Sequence, residues 1–110
     1  MNPSPLAIES HVRNGAGTVR VRGELDIDGV ERLVEAVGAA TPPGGRVEVD
    51  LCEVTFIDSA GVAGINRCRR QATRREAELT VVCLDGSPVA KLLQWTGLAR
   101  VMDVRFGPAV

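Results

Sequence analysis

What is scarce in this 110-residue chain narrows its function before any motif is read. There is little excess charge of either sign: 13 basic and 14 acidic residues leave a formal net charge of -1. The overall balance therefore points neither to nucleic acid nor to an anionic membrane, and a polar partner must be read by a local patch. Cysteine is sparse. Cys52, Cys68 and Cys83 are odd in number, lie far apart and form no CxxC pair, which argues against a disulfide framework and a zinc site and fits a reducing cytoplasm. No window approaches the ~20 apolar residues that span a bilayer. The start, MNPSPLAIES, has neither a basic leader nor a long apolar segment, so neither export nor membrane insertion is expected. No Walker A loop, GxGxxG or HExxH occurs, which removes the parts for ATP hydrolysis, dinucleotide binding and zinc hydrolysis. His11 is the one histidine.

What is present is enough for one core. A hydrophobic fraction of 45% predicts a single domain over residues 1–110, with its core over about residues 5–106. Short apolar runs alternate with helical patterns, and breakers at Asn14 to Gly17, Thr41 to Gly45 and Asp85 to Pro88 separate them, which reads as α/β. Leu6 to Val12 and Thr18 to Arg22 are expected to pair as a half-exposed edge hairpin, because Val19 and Val21 alternate with Arg20 and Arg22. Val47 to Leu51 and Leu79 to Leu84 are more apolar and are joined through a helix, as parallel central strands are. Val101 to Phe106 is a weaker last strand. Three helices are expected: Asp28 to Ala40, with Asp28 as cap and Glu31 completing a capping box; Ser59 to Arg75, with Val62, Ile65, Cys68 and Ala72 inward and Gly64, Arg67, Gln71 and Arg74 outward; and Ser87 to Thr96, with Ser87 as cap, Pro88 first and Gly97 just past the end.

The stretch FIDSAGVAGI, Phe56 to Ile65, ends a strand in an acid and a hydroxyl. One reading is structural: Asp58 or Ser59 is an N-cap worth ~1 kcal/mol. Three features favour a functional one. Gly61 and Gly64 cost about 1 kcal/mol each relative to alanine, a loss understandable where another backbone approaches closely. Ala60, Gly61 and Ala63 leave the first turn bare, so the Ser59 hydroxyl is not hidden. A carboxylate beside a hydroxyl also suits proton acceptance or metal positioning in phosphoryl transfer. A hydrolase nucleophile does not fit, since IDSAG is not GxSxG and His11 lies far upstream. Chemistry at Ser59 is therefore expected to be performed by another protein.

Three segments together, GELDI (Gly23 to Ile27), VEVDLCEVTFIDSAGV (Val47 to Val62) and SPVAKLLQWTGLARVMDV (Ser87 to Val104), resemble the STAS domain over nearly the whole chain. The free-standing single domain is similar to the bacterial anti-sigma factor antagonist branch. The resemblance implies a small mixed sheet with helices packed mainly on one face. It implies that Ser59 is phosphorylated by a partner serine kinase that is itself the anti-sigma factor and binds the ATP. In this family the unphosphorylated form binds that partner and sigma factor is released; a phosphatase is a further possible partner. The aspartate of GELD falls on Asp26, expected near Ser59, so the implied docking surface comprises Asp26, Asp58, Ser59, Ala60, Gly61, Ala63 and Gly64. No catalytic residue, metal or cofactor is implied, and the location is cytoplasmic. Ala60 replaces the second small hydroxyl residue common in the family, Ala63–Gly64 inverts the usual order, and Asn66 stands where an apolar residue is common. The chain ends soon after its last strand, where many members continue into a final helix, so none is expected.

Other residues have simpler readings. Arg67, Arg69, Arg70, Arg74 and Arg75 read as a solvated helix face with Glu76 and Glu78 close by, or as a basic patch that speeds encounter with an acidic kinase. The cysteines lie in apolar patterns as small core residues. Trp95 either covers the end of the core or anchors an interface. The alternative function is a STAS scaffold whose Ser59 is never phosphorylated, in a signalling assembly or a lipid-transport complex.

Overall fold

The computed structural model describes residues 6–107. β1 (Leu6–Arg13) and β2 (Ala16–Leu25) pair antiparallel. Their two-residue turn is Asn14–Gly15, with φ of 51° and 77°, the left-handed pair that twists a tight hairpin correctly and that Asn-Gly adopts most readily. The chain then alternates: α1 (Val30–Ala39), β3 (Arg46–Ile57), α2 (Ser59–Arg74), β4 (Glu78–Leu84), α3 (Pro88–Trp95), a 3-10 turn (Leu98–Arg100) and β5 (Asp103–Gly107). The sheet order is β1-β2-β3-β4-β5, with β2 to β5 parallel.

Each crossover joins neighbouring parallel strands and advances in the same direction. Because such crossovers are right-handed, the three helices share one face of the sheet. Burial follows this. Val47, Val49, Leu51, Leu79, Val81 and Cys83 are buried beneath the helices with Leu33, Ile65 and Leu93. The intervening residues face the other way and pair with one another: Arg20 with Asp50 at 3.6 Å, Arg105 with Glu48, and the Thr80 hydroxyl onto Asp103 at 2.6 Å. The mixed sheet with one covered face is the expected one.

Some boundaries differ from the sequence expectation. α1 begins at Val30 and its cap position, Gly29, supplies no side chain. Asp28 does not cap because its own N–H donates to Asp26 Oδ1 at 3.1 Å, which draws it into the preceding turn. β3 runs on to Ile57, beyond the stretch paired with β4. β5 starts at Asp103 because the 3-10 turn takes up the chain before it. Gly64, expected on the outer side of α2, is buried against Val30 of α1. The expected lack of a terminal helix concerns residues after Gly107, outside the described ones. No helix among the described residues is long and apolar enough to cross a membrane.

Candidate functional site

β2 and β3 run parallel and finish together, with Leu25 opposite Ile57. The next residues, Asp26 and Asp58, are therefore brought side by side at one end of the sheet. Each turns its strand into a helix with its own carboxylate. Asp58 is extended (φ -121°, ψ -171°) and is the N-cap of α2, Oδ1 accepting from Gly61 N–H at 3.0 Å. Asp26 accepts from Asp28 N–H, while its carbonyl accepts from Gly29 N–H at 3.0 Å and Val30 N–H at 3.2 Å. The capping role that Asp58 and Ser59 competed for on sequence thus belongs to Asp58.

This leaves the Ser59 hydroxyl free. Ser59 is exposed at the first position of α2 and makes no side-chain hydrogen bond to the described residues. Ala63 is also exposed and Ala60 half-buried. The two glycines are different: both are buried. A Cβ on Gly61 would stand 2.5 Å from the Leu25 carbonyl oxygen and 2.8 Å from Ile57, and one on Gly64 would stand 2.9 Å from Val30. The close approach expected of a partner at these positions is made within the chain, locking the start of α2 to the end of β2 and to α1.

Two neighbours escaped the sequence reading. Ile27 is 71% exposed and Phe56 is 47% exposed, both at this same end. Phe56 was partly legible: it adjoins Ile57, and of two consecutive strand residues only one faces the core. Ile27 was not, since period-2 alternation from Leu25 turns it inward until the strand is known to end.

The remaining candidates lie elsewhere. His11 pairs with Thr18, whose other neighbour is Glu48. Glu48 is nine residues before Ile57, a rise of about 30 Å, so no imidazole reaches Ser59. Of the basic cluster, Arg67 pairs with Glu31 of α1 at 2.6 Å rather than with Glu76 or Glu78, Arg69 donates to Asn66 at 3.0 Å, and Arg75 donates to the Gly38 and Thr41 carbonyls. The Arg67 guanidinium holds the Glu31 carboxyl below its usual range. Burial pushes the Cys68 thiol up to about 12 and those of Cys52 and Cys83 to about 11, so none is poised as a thiolate at neutral pH. Trp95 is 79% exposed and does not cover the core.

Residues 11–104 match the family model described as "Mlab, STAS domain". The chain belongs to the STAS family. Its fold is similar to solved STAS-type structures. An anti-sigma factor antagonist from Mycobacterium paratuberculosis is 22% identical, with 90% of this chain and 84% of that one covered and a TM-score of 0.76. The anti-sigma factor antagonist SpoIIAA in its unphosphorylated form is 20% identical, with 90% and 88% covered and a TM-score of 0.69. A putative anti-sigma factor antagonist from Thermotoga maritima is 15% identical, with 88% and 84% covered and a TM-score of 0.68. At these identities the likeness establishes the STAS fold.

Proposed function

We propose that this STAS domain is a cytoplasmic anti-sigma factor antagonist, a binding protein rather than an enzyme, switched at Ser59. Unphosphorylated, it binds an anti-sigma factor that is a serine kinase, and sigma factor is released; phosphorylation of Ser59 by that kinase ends the binding. The observation that carries this reading is the division of labour at the start of α2. Asp58 does the capping, and the adjacent hydroxyl is left exposed and unbonded. A phosphate there adds about -1.5 to -2 charge at pH 7, partly offset by the positive helix terminus, so the fold survives while the surface formed with Asp26, Asp58, Ala60 and Ala63 changes in bulk and hydration. The name of one similar structure, SpoIIAA in its unphosphorylated form, is consistent with such a switch.

The test is co-expression with candidate anti-sigma factor kinases from the native source, followed by intact mass. One phosphate on the wild type and none on Ser59→Ala supports the switch. The second reading, a scaffold whose serine is never modified, is favoured by the Mlab description of the matching family model. It predicts no phosphate on either protein and identical partner binding by both.

A further inference from the structure

The end of the sheet that carries Ser59 leaves two large apolar side chains in water, and neither is loosely held. Ile27 sits in a turn fixed by three hydrogen bonds to Asp26, one to its side chain and two to its carbonyl. Phe56 stands in β3 opposite exposed Glu24, while the next pair, Leu25 and Ile57, is buried. Phe56 therefore points away from the helices. From Glu24 to Ile27 is three residues, at most about 11 Å of extended chain, and adjacent strands lie about 5 Å apart. Both side chains thus fall within one interface footprint of about 800 Å² per partner. Two exposed large apolar side chains on hydrogen-bonded backbone within one such footprint have the character of interface anchors, with a surrounding polar rim.

That rim is mainly acidic, with Arg22 and Arg32 at its margins and Arg32 donating to the Leu6 carbonyl at 3.1 Å. Residues 24–31 and 53–63 contain no lysine or arginine. Glu24, Asp26, Asp28, Glu53 and Asp58 take part in none of the ion pairs among the described residues. Arg22, cross-strand from Glu53, is held by Glu9 at 3.6 Å.

We infer that Ile27 and Phe56 are the contact residues of the docking surface, that Asp26 and Asp58 mainly build its display, and that the occupant is a protein surface with an apolar pocket rimmed by basic side chains. The inference rests on the switch reading for the partner's identity, the kinase that phosphorylates Ser59. It also sharpens the switch. A phosphate has the same sign as the existing rim, so it does not repel a basic-rimmed partner during encounter. It acts at contact, holding bulk and bound water between the anchors and their pocket. Apolar anchors govern dissociation and the charged rim governs association.

The experiment is binding kinetics of the full chain against that kinase at low and high salt. Ile27→Ala, at an exposed turn, is the deciding variant: its melting temperature should match wild type while Kd rises at least tenfold, mainly through faster dissociation. Phe56→Ala should act in the same direction. The double variant Glu24→Gln/Asp28→Asn should slow association severalfold at low salt and match wild type at high salt. If the kinase binds wild type and Ile27→Ala equally, the anchors are wrong and the switch stands. Association unchanged or accelerated in the double variant overturns the basic-rimmed partner. If no kinase binds wild type or modifies Ser59, the switch falls and this inference with it.

Discussion

Where β2, β3 and β4 begin, the loops bond to one another: Gly44 N–H to the Arg75 carbonyl at 2.9 Å, Arg46 N–H to Gly15 at 3.2 Å and Glu78 N–H to Gly45 at 2.9 Å. Arg75 closes the carbonyls at the end of α1, and the buried Thr41 hydroxyl donates to the Val37 carbonyl at 2.5 Å. Where β2 and β3 finish, the backbone is likewise hydrogen-bonded, but the Ser59 hydroxyl has no bond among the described residues and Ile27 and Phe56 are exposed. Both ends use close backbone approach at a glycine, Gly17 against the Ala40 carbonyl at one and Gly61 against the Leu25 carbonyl at the other. The difference lies in what is left over. One end bonds its loops to one another, and the other keeps a hydrogen-bonded frame under side chains that have no partner among the described residues.

Damage to the bonded end should be the costliest and functionally the least specific. A Cβ at Gly17 falls onto the Ala40 carbonyl, so Gly17→Ala should lose about 3 kcal/mol or more in denaturant unfolding. The folded fraction should still accept phosphate at Ser59. Loss of phosphorylation without loss of stability would erase the distinction between the ends.

Gly61→Ala should cost about 2 kcal/mol, because the Leu25 carbonyl and Ile57 must both give way. Here binding should suffer too, since displacing the start of α2 moves Ser59. A fully stable Gly61→Ala protein would mean that the glycine is not a packing residue. Smaller still is the capping comparison. Asp58→Ala should lose about 1 kcal/mol, whereas Asp58→Asn, which caps equally well, and Ser59→Ala should be close to neutral. Equal costs for Ser59→Ala and Asp58→Ala in urea titrations would return Ser59 to a structural role.

Between the ends lies the interior, and its thiols give the mildest effect. With folded values raised to about 12 for Cys68 and about 11 for Cys83 against 9.0, both states are protonated below pH 9, so these groups leave stability unchanged there. Above it the unfolded chain loses thiol protons first, and stability should fall as pH rises from about 9 towards the folded values. Unfolding curves at pH 7 and pH 10 should show this, with a smaller decline in Cys68→Ala. A flat profile would place these thiols in less apolar surroundings.

Much of this was written locally. The Asn-Gly turn, the apolar strands flanking helical periods, and the Ser87–Pro88 start of α3 rest on dihedral preferences and on neighbours a few residues apart. Such signals survive in any fold, and so the parallel α/β order and the strand-to-helix junction at Asp58 and Ser59 were legible. The Asp28 cap failed because the turn held by the Asp26 carboxylate and carbonyl carries the chain on to Gly29, which takes the cap position before the helix starts at Val30.

By itself the sequence determined that a strand ends in an acid and a hydroxyl, and that a second acid follows another strand. Which of the pair caps α2 depends on the extended backbone at Asp58. That Asp26 stands beside it depends on the parallel register of Leu25 with Ile57. That Phe56 stands opposite Glu24 depends on two register shifts between β2 and β3, each of which places one extra residue in β3. Burial of Gly61 and Gly64 depends on the Leu25 carbonyl and Val30, residues some 35 positions away in the chain. Local pattern sets each segment's conformation, but which side chains remain uncovered is settled only when distant segments compete for the same space.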